Sequence, residues 1–256
     1  MSNRDRGYRG NPWWVGAIVA VGLLLWFLRP GFDQGRLDTA SSPEGIEKAS
    51  LAHPQNGRLF AAIKESYPDE MRAFVADVGE RVRRHTPEAQ MTAGNERYML
   101  AAQTRHKPEL LRAPPESLAA MGATEIRLVE AMRASTPALC AHYGSTGLQP
   151  TDVIPPKIHA LVIDLGIARW PATAAGRDHP AKPGPSNIAP QDGAALLAAM
   201  RKDGMSAEDI KRFQTGAMAS APAATQCDGI YHLVRGVHAL PADQGDRITR
   251  WLLAQN

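Results

Sequence analysis

One uncharged apolar run near the N-terminus constrains this chain more than any other feature of its sequence. The 19 residues from Gly10 to Leu28 carry no charge. As a helix they would span about 28 Å, close to the roughly 30 Å hydrocarbon core of a bilayer. Aromatic residues flank the run where headgroups would lie: Trp13 and Trp14, then Trp26 and Phe27. The run therefore predicts a single transmembrane helix, residues 12–29, that contacts membrane lipid.

Two other interpretations of the run fit less well. A cleaved signal peptide has a shorter apolar region, which is followed directly by a site of small residues. Here the run is followed by Arg29, Pro30, Gly31 and Phe32, which is poor cleavage chemistry. A buried helix of a soluble domain would not need tryptophans at both ends. We therefore expect a retained anchor.

The charge distribution predicts the orientation of this anchor. The short tail, residues 1–11, carries Arg4, Arg6 and Arg9 against Asp5, which favours a cytoplasmic N-terminus. The rest of the chain would then lie in the periplasm, and the protein in the inner membrane of a bacterium. Residues 1–29 have a net charge of +3, so the other 227 residues have a net charge of zero. The basic pI of 9.0 therefore does not predict nucleic-acid binding.

Cys140 and Cys227 are the two cysteines of the chain. In an oxidising compartment such a pair predicts one disulfide, whereas in the cytosol it would predict two buried thiols. Cys227 opens an apolar stripe with helical spacing that continues through Leu233 and Val237. Because the predicted topology exports both residues, we expect them to be bonded to each other, with Cα atoms about 4.4–6.8 Å apart.

The fold class predicted for the remainder is all-α. Residues 30–56, rich in Gly, Ser and Pro, are expected to form a flexible linker, and residues 57–256 a multi-helix, bundle-like domain with one disulfide. Within that domain, residues 171–190 contain five prolines and are expected to form a surface or disordered loop, or else a partner-binding segment. The apolar stripes predict one core that buries ten residues: Phe74, Val78, Leu128, Met132, Leu161, Leu165, Leu197, Leu233, Val237 and Leu252.

No recognised catalytic motif occurs in the sequence. The eight histidines never lie three or four residues apart, so adjacent metal ligands on one helix are not expected. We predict no catalytic residue, no cofactor and no metal site. Five carboxylates could still converge in space, as glycan hydrolysis would require: Glu125, Glu130, Asp164, Glu208 and Asp228. Four aromatic residues are expected to pack in the core or at its rim: Tyr143, Trp170, Tyr231 and Trp251.

These observations favour an anchored envelope protein whose periplasmic domain interacts with, or scaffolds, another envelope protein. The alternative is an anchored periplasmic hydrolase that acts on cell-wall or peptide substrates. The two hypotheses differ in the surface that they need. A hydrolase needs a cleft lined by converging carboxylates or histidines, whereas an interaction domain needs an exposed apolar surface.

Overall fold

The computed structural model describes residues 42–149, 152–179 and 187–255, and within these ranges the chain is helical with no strand. The described residues form eleven α-helices and one 3₁₀ turn, Ala217–Ser220. The helices are α1 Pro43–Leu51, α2 Gly57–Ser66, α3 Pro68–Arg83, α4 Glu88–Leu110, α5 Pro115–Ser135, α6 Pro137–Thr146, α7 Pro156–Arg177, α8 Pro190–Lys202, α9 Ala207–Thr215, α10 Ala223–His238 and α11 Ala242–Ala254. The all-α prediction is confirmed.

The predicted anchor, with Trp13, Trp14, Trp26 and Phe27, and the predicted tail of residues 1–11 lie outside the described residues. Within the described ranges, no helix combines the length and the apolar character needed to cross a bilayer.

Proline and capping residues begin most of these helices. Six of them have proline in the first turn, where its fixed φ suits a helix and its missing N–H is not needed. The sequence from Ser206 to Asp209 predicts a helix cap. At α9 the side chain of Ser206 accepts a hydrogen bond from the backbone N–H of Asp209 at 3.0 Å, which confirms it. These local signals explain why the helix boundaries follow the sequence closely.

Three helices organise the packing. Helix α7 contacts α2, α4 and α5, while α10 contacts α5, α6 and α8, so α5 connects the two groups. The buried apolar residues form one cluster that extends from Ile46 to Leu253. Eight of the ten predicted core residues are buried, whereas Leu161 and Leu197 are only partly buried. On α8 the residues that face the core are Leu196 and Met200, one helical turn apart, so Leu197 is rotated toward the rim.

The predicted linker of residues 30–56 is wrong over its second half. Helix α1 begins after Ser42, whose side chain accepts from the N–H of Gly45 at 3.1 Å. Ile46 is completely buried against the other helices, and the side chain of Ser50 donates to the carbonyl of Ile46. Two completely buried side chains, Ile46 and Ser50, hold this short helix on the domain, whereas the sequence pattern within the linker indicates at most one helical turn, from Ile46 to Leu51.

The predicted loop of residues 171–190 is also wrong at its N-terminal end, because α7 continues through Pro171 to Arg177. Proline removes one helical hydrogen bond, but the turns that follow it are packed. Ala172 and Thr173 are buried, and Gly176 lies so close to α4 that an added Cβ would be 1.9 Å from the carbonyl oxygen of Glu109. Burial against α4 therefore stabilises the extra turns.

A third correction concerns α6, for which the sequence from Thr136 to Gly144 predicts a cap at Thr136 and a C-terminal end at Gly144. The hydroxyl of Thr136 instead donates to the carbonyl of Met132 at 3.4 Å, and the helix ends at Gly147, whose φ is +72°. Gly144 lies inside the helix, where an added Cβ would be 1.9 Å from Cδ1 of Ile230. Gly144 allows α6 and α10 to pack closely. In the sequence, a glycine with this role looks the same as a glycine that ends a helix.

Candidate functional site

The disulfide joins α6 to α10 in the interior of the domain. Cys140 and Cys227 are bonded, their Cα atoms are 5.3 Å apart, and both residues are completely buried. The predicted pairing is therefore confirmed. Its position beside the contact between Gly144 and Ile230 makes it a structural link between two packed helices and not an exposed, exchangeable thiol pair.

The structure does not gather the five carboxylates that a hydrolase could have used. Four of them have separate partners: Glu125 accepts from Tyr143, Asp164 pairs with Arg58, Glu208 with Arg212 and Asp228 with Arg133. Glu130 acts on Arg235 through its charge. Among the described residues, no group of three or more histidine, cysteine, aspartate or glutamate side chains could bind a metal.

The four aromatic residues pack as expected. Tyr143, Trp170 and Trp251 are buried in the core, and Tyr231 is half-buried. The Tyr231 ring lies between two guanidinium groups, with Arg133 at 4.3 Å and Arg235 at 5.2 Å from its centroid. None of these rings forms an open platform on which a sugar could stack.

A cluster that the sequence analysis missed lies between α3, α4 and α7. His106 has Glu70 and Glu109 on its two ring nitrogens: Nε2 is 3.0 Å from Glu70 Oε1, and Nδ1 is 3.1 Å from Glu109 Oε2. The hydroxyl of Tyr67 donates to Glu109, and the Tyr67 ring lies 4.1 Å from the imidazole. Its members are separated by up to 42 residues in sequence. The sequence therefore shows that His106 and Glu109 are three residues apart, but not that Glu70 approaches them.

This histidine–carboxylate cluster looks catalytic but is closed. Burial opposes ionisation of Glu70, yet hydrogen bonds from Arg105, His106 and Tyr98 hold the pKa of its carboxyl below the ordinary value. Two depressions border the cluster, and each has about 0 Å³ of space open to a water molecule. The imidazole occupies the place between the two carboxylates where a substrate would bind. We therefore interpret the cluster as a set of polar contacts that holds the helices together.

A second polar network is completely buried beside the disulfide. The hydroxyl of Tyr143 donates to Glu125 at 2.9 Å, and the guanidinium of Arg169 lies near enough to affect both. Burial raises the pKa of Glu125 to about 7, although the Tyr143 hydrogen bond and the Arg169 charge oppose the shift. Burial also lowers the pKa of Arg169, to about 10.

One accessible site among the described residues is a groove between α5, α10 and α11, which holds about 320 Å³ of space open to water. We call it the α5–α10–α11 groove. Most of its lining is apolar: Pro115, Leu118, Ala119, Val237, Leu240 and Ala242. The remaining lining residues are Glu116, His238, Gly245, Asp246 and Thr249.

Close packing and one buried arginine fix the shape of this groove. Gly245 lets α11 approach the end of α10, because an added Cβ would be 2.9 Å from the carbonyl oxygen of Val237. Arg250 donates to the carbonyls of Leu111 and Ala113 at 2.6 and 2.7 Å, and to Asp246 at 2.8 Å. These bonds connect α11 to the segment between α4 and α5, so the groove is formed in advance of any binding.

The margin of the groove is acidic. Neither lysine nor arginine lines it. Glu116 is an exposed lining residue in the first turn of α5, and Asp243, which follows the lining residue Ala242, is exposed in the first turn of α11. Within the described residues, neither carboxylate forms a salt bridge. Arg247 senses the charge of Asp243, but its guanidinium is bonded to Asp192 at 2.7 Å.

Comparison of the chain with protein-family models, with curated proteins and with solved structures found no significant match.

Proposed function

We propose that this protein is an envelope protein that residues 12–29 hold in the inner membrane, and that its helical domain binds a partner protein in the periplasm. In this proposal the α5–α10–α11 groove is the binding surface. The domain acts by positioning that partner at the membrane, and catalysis has no part in it.

Two independent features support the location. The buried disulfide between Cys140 and Cys227 needs an oxidising compartment to form and persist. The apolar run has the length and the aromatic ends of a bilayer-spanning helix. Both features agree with an exported domain.

The observation that carries the proposed activity is the contrast between the groove and the histidine–carboxylate cluster. The groove is open, apolar and preformed, with about 320 Å³ of space. The cluster has the residue types of a hydrolase, but its carboxylates are bridged by His106 and have no space for substrate beside them. An interaction domain uses an open apolar surface such as the groove. A hydrolase needs a cleft beside its carboxylates, and the histidine–carboxylate cluster has none.

A crosslinking experiment in living cells tests this proposal. A photo-activated amino acid replaces Ala119, which lines the groove, or Ala120, which is equally exposed on α5 but does not line it. We expect a discrete adduct with one protein from position 119, little from position 120, and loss of the adduct when Ala242→Trp fills the groove. Equal adducts from both positions, or an adduct that survives Ala242→Trp, would exclude the groove as the interface.

The location has its own measurement. In spheroplasts, the helical domain of the full chain should be digested by added protease, and Cys140 and Cys227 should not react with a thiol reagent until the protein is reduced. Protection from protease, together with free thiols, would place the domain in the cytosol and overturn the proposal.

A further inference from the structure

We infer that the segment which binds the α5–α10–α11 groove carries a large apolar side chain next to lysine or arginine. This inference rests on the proposed function and specifies the chemistry of the partner. It follows from three properties of the groove: its mainly apolar lining, the lack of lysine and arginine in its wall, and two exposed acids, Glu116 in the lining and Asp243 next to the lining residue Ala242, which form no salt bridge among the described residues.

The apolar part of the segment is indicated by size and lining. A space of about 320 Å³ is at the lower end of the range of roughly 300–1,000 Å³ for ligand pockets, so it suits one or two side chains and not an extended helix face. Leu118 and Val237 are buried in its floor, while Ala119 and Ala242 are small, exposed residues at its opening. A bulky side chain would displace water from this surface and gain hydrophobic free energy.

The cationic part is indicated by the margin. Glu116 and Asp243 lie in the first turns of two different helices. Both are exposed, and among the described residues neither has a salt-bridge partner that a ligand would need to displace. A lysine or arginine beside the apolar side chain could therefore pair with either acid.

Asp246 adds an acceptor and little net charge. Its Oδ2 accepts from Arg250 at 2.8 Å, so the two charges largely offset each other. Its Oδ1 is buried with no hydrogen-bond partner among the described residues. A buried carboxylate oxygen without a hydrogen-bond donor costs free energy. If the Asp246 side chain shifts toward the groove, a donor on the bound segment would recover part of that cost.

Anionic partners fit this site poorly. The N-termini of α5 and α11 would favour an anion by themselves, but Glu116 and Asp243 already occupy both first turns. An acidic lipid headgroup or a nucleic-acid phosphate would meet like charges at the margin and no lysine or arginine in the lining.

Three blocked peptides test the inference on the full chain in nanodiscs of zwitterionic lipid: acetyl-Lys-Trp-Lys-amide, acetyl-Gln-Trp-Gln-amide and acetyl-Glu-Trp-Glu-amide, each with a neutral fluorophore. Fluorescence anisotropy gives the affinities, with empty nanodiscs as the blank. At about 0.01 M salt we expect the lysine peptide to bind about threefold to tenfold more tightly than the glutamine peptide, and at about 1 M salt we expect the difference to disappear. The glutamate peptide should bind most weakly.

Matched variants attribute the preference to the margin. The double variant Glu116→Gln/Asp243→Asn should bind the lysine and glutamine peptides equally, while Ala242→Trp should weaken all three. The control, Glu44→Gln/Glu88→Gln, removes two exposed first-turn acids elsewhere and should keep the preference. Near-ultraviolet circular dichroism of each variant shows whether the fold is retained.

The outcomes separate the inference from the function on which it rests. Equal affinities for the three peptides, or a preference that survives Glu116→Gln/Asp243→Asn, would overturn the charge requirement and leave the groove as a binding site. Peptide binding that survives Ala242→Trp, or no binding of any peptide, would overturn the inference. Only the crosslinking experiment at Ala119 decides whether the groove binds a protein at all.

Discussion

Removal of the disulfide should destabilise the helical domain by several kcal/mol, because the bond closes a long loop. Cys140 and Cys227 are separated by 87 residues. On the chain-entropy model, opening a loop of this length releases about 4.6 kcal/mol of conformational free energy in the unfolded state. Measured losses for native disulfides are about 2–5 kcal/mol, so we expect a value in the upper half of that range. Both cysteines are completely buried, so replacing them with alanine adds a small packing cost.

Urea unfolding of the full chain in detergent micelles, followed by far-ultraviolet circular dichroism, measures this loss. The wild type is compared with and without reductant, and Cys140→Ala/Cys227→Ala is compared in the same way. Reduction should lower the unfolding midpoint of the wild type and leave that of the variant unchanged. The m-value should rise on reduction, because the open chain exposes more surface when it unfolds.

A small effect would refute this reasoning. If reduction lowered the free energy of unfolding by less than about 1 kcal/mol, the loop between α6 and α10 would be constrained in the unfolded state by something other than the bond. If the variant also responded to reductant, the reductant itself would be acting on the fold.

Three other predictions concern the packing and the buried charges, and each is tested by urea unfolding. Leu233→Ala removes a completely buried side chain of α10 and should cost about 2–5 kcal/mol, and a loss below about 1 kcal/mol would contradict its place in the core. Arg250→Met should cost about 3–5 kcal/mol, because it removes the cation from the partly buried carboxylate of Asp246 and the hydrogen bonds to the carbonyls of Leu111 and Ala113. Arg250→Met combined with Asp246→Leu should recover part of that loss, and no recovery would show that the bonds from Arg250 to the carbonyls dominate. Burial raises the pKa of Glu125 from 4.5 to about 7, so the folded state binds this proton more tightly and the domain should lose roughly 3 kcal/mol of stability as pH rises from about 4.5 to about 7. Glu125→Gln should remove this part of the pH dependence, and an unchanged slope would assign it to other groups.

The sequence by itself determined the local structure of the described residues. Proline at the start of a helix, acids in the first turn and the Ser206 cap are signals whose partners lie within four residues, so the helices could be located from sequence. Helical periodicity also identified eight residues of the core, including Phe74 and Leu233. The disulfide could be predicted because two cysteines allow one pairing.

Tertiary packing decided the features that depend on contacts between distant segments. Pro171 stays within a helix because the following turns are buried on α4, and Gly144 stays within α6 because Ile230 packs against it. The histidine–carboxylate cluster needed α3, α4 and Tyr67 to come together, and the α5–α10–α11 groove needed three helices to meet. Periodicity shows which face of a helix is buried but not which helix covers that face. That choice depends on the free energy of the whole packed core, so the groove and the closed cluster could be found only in the folded structure.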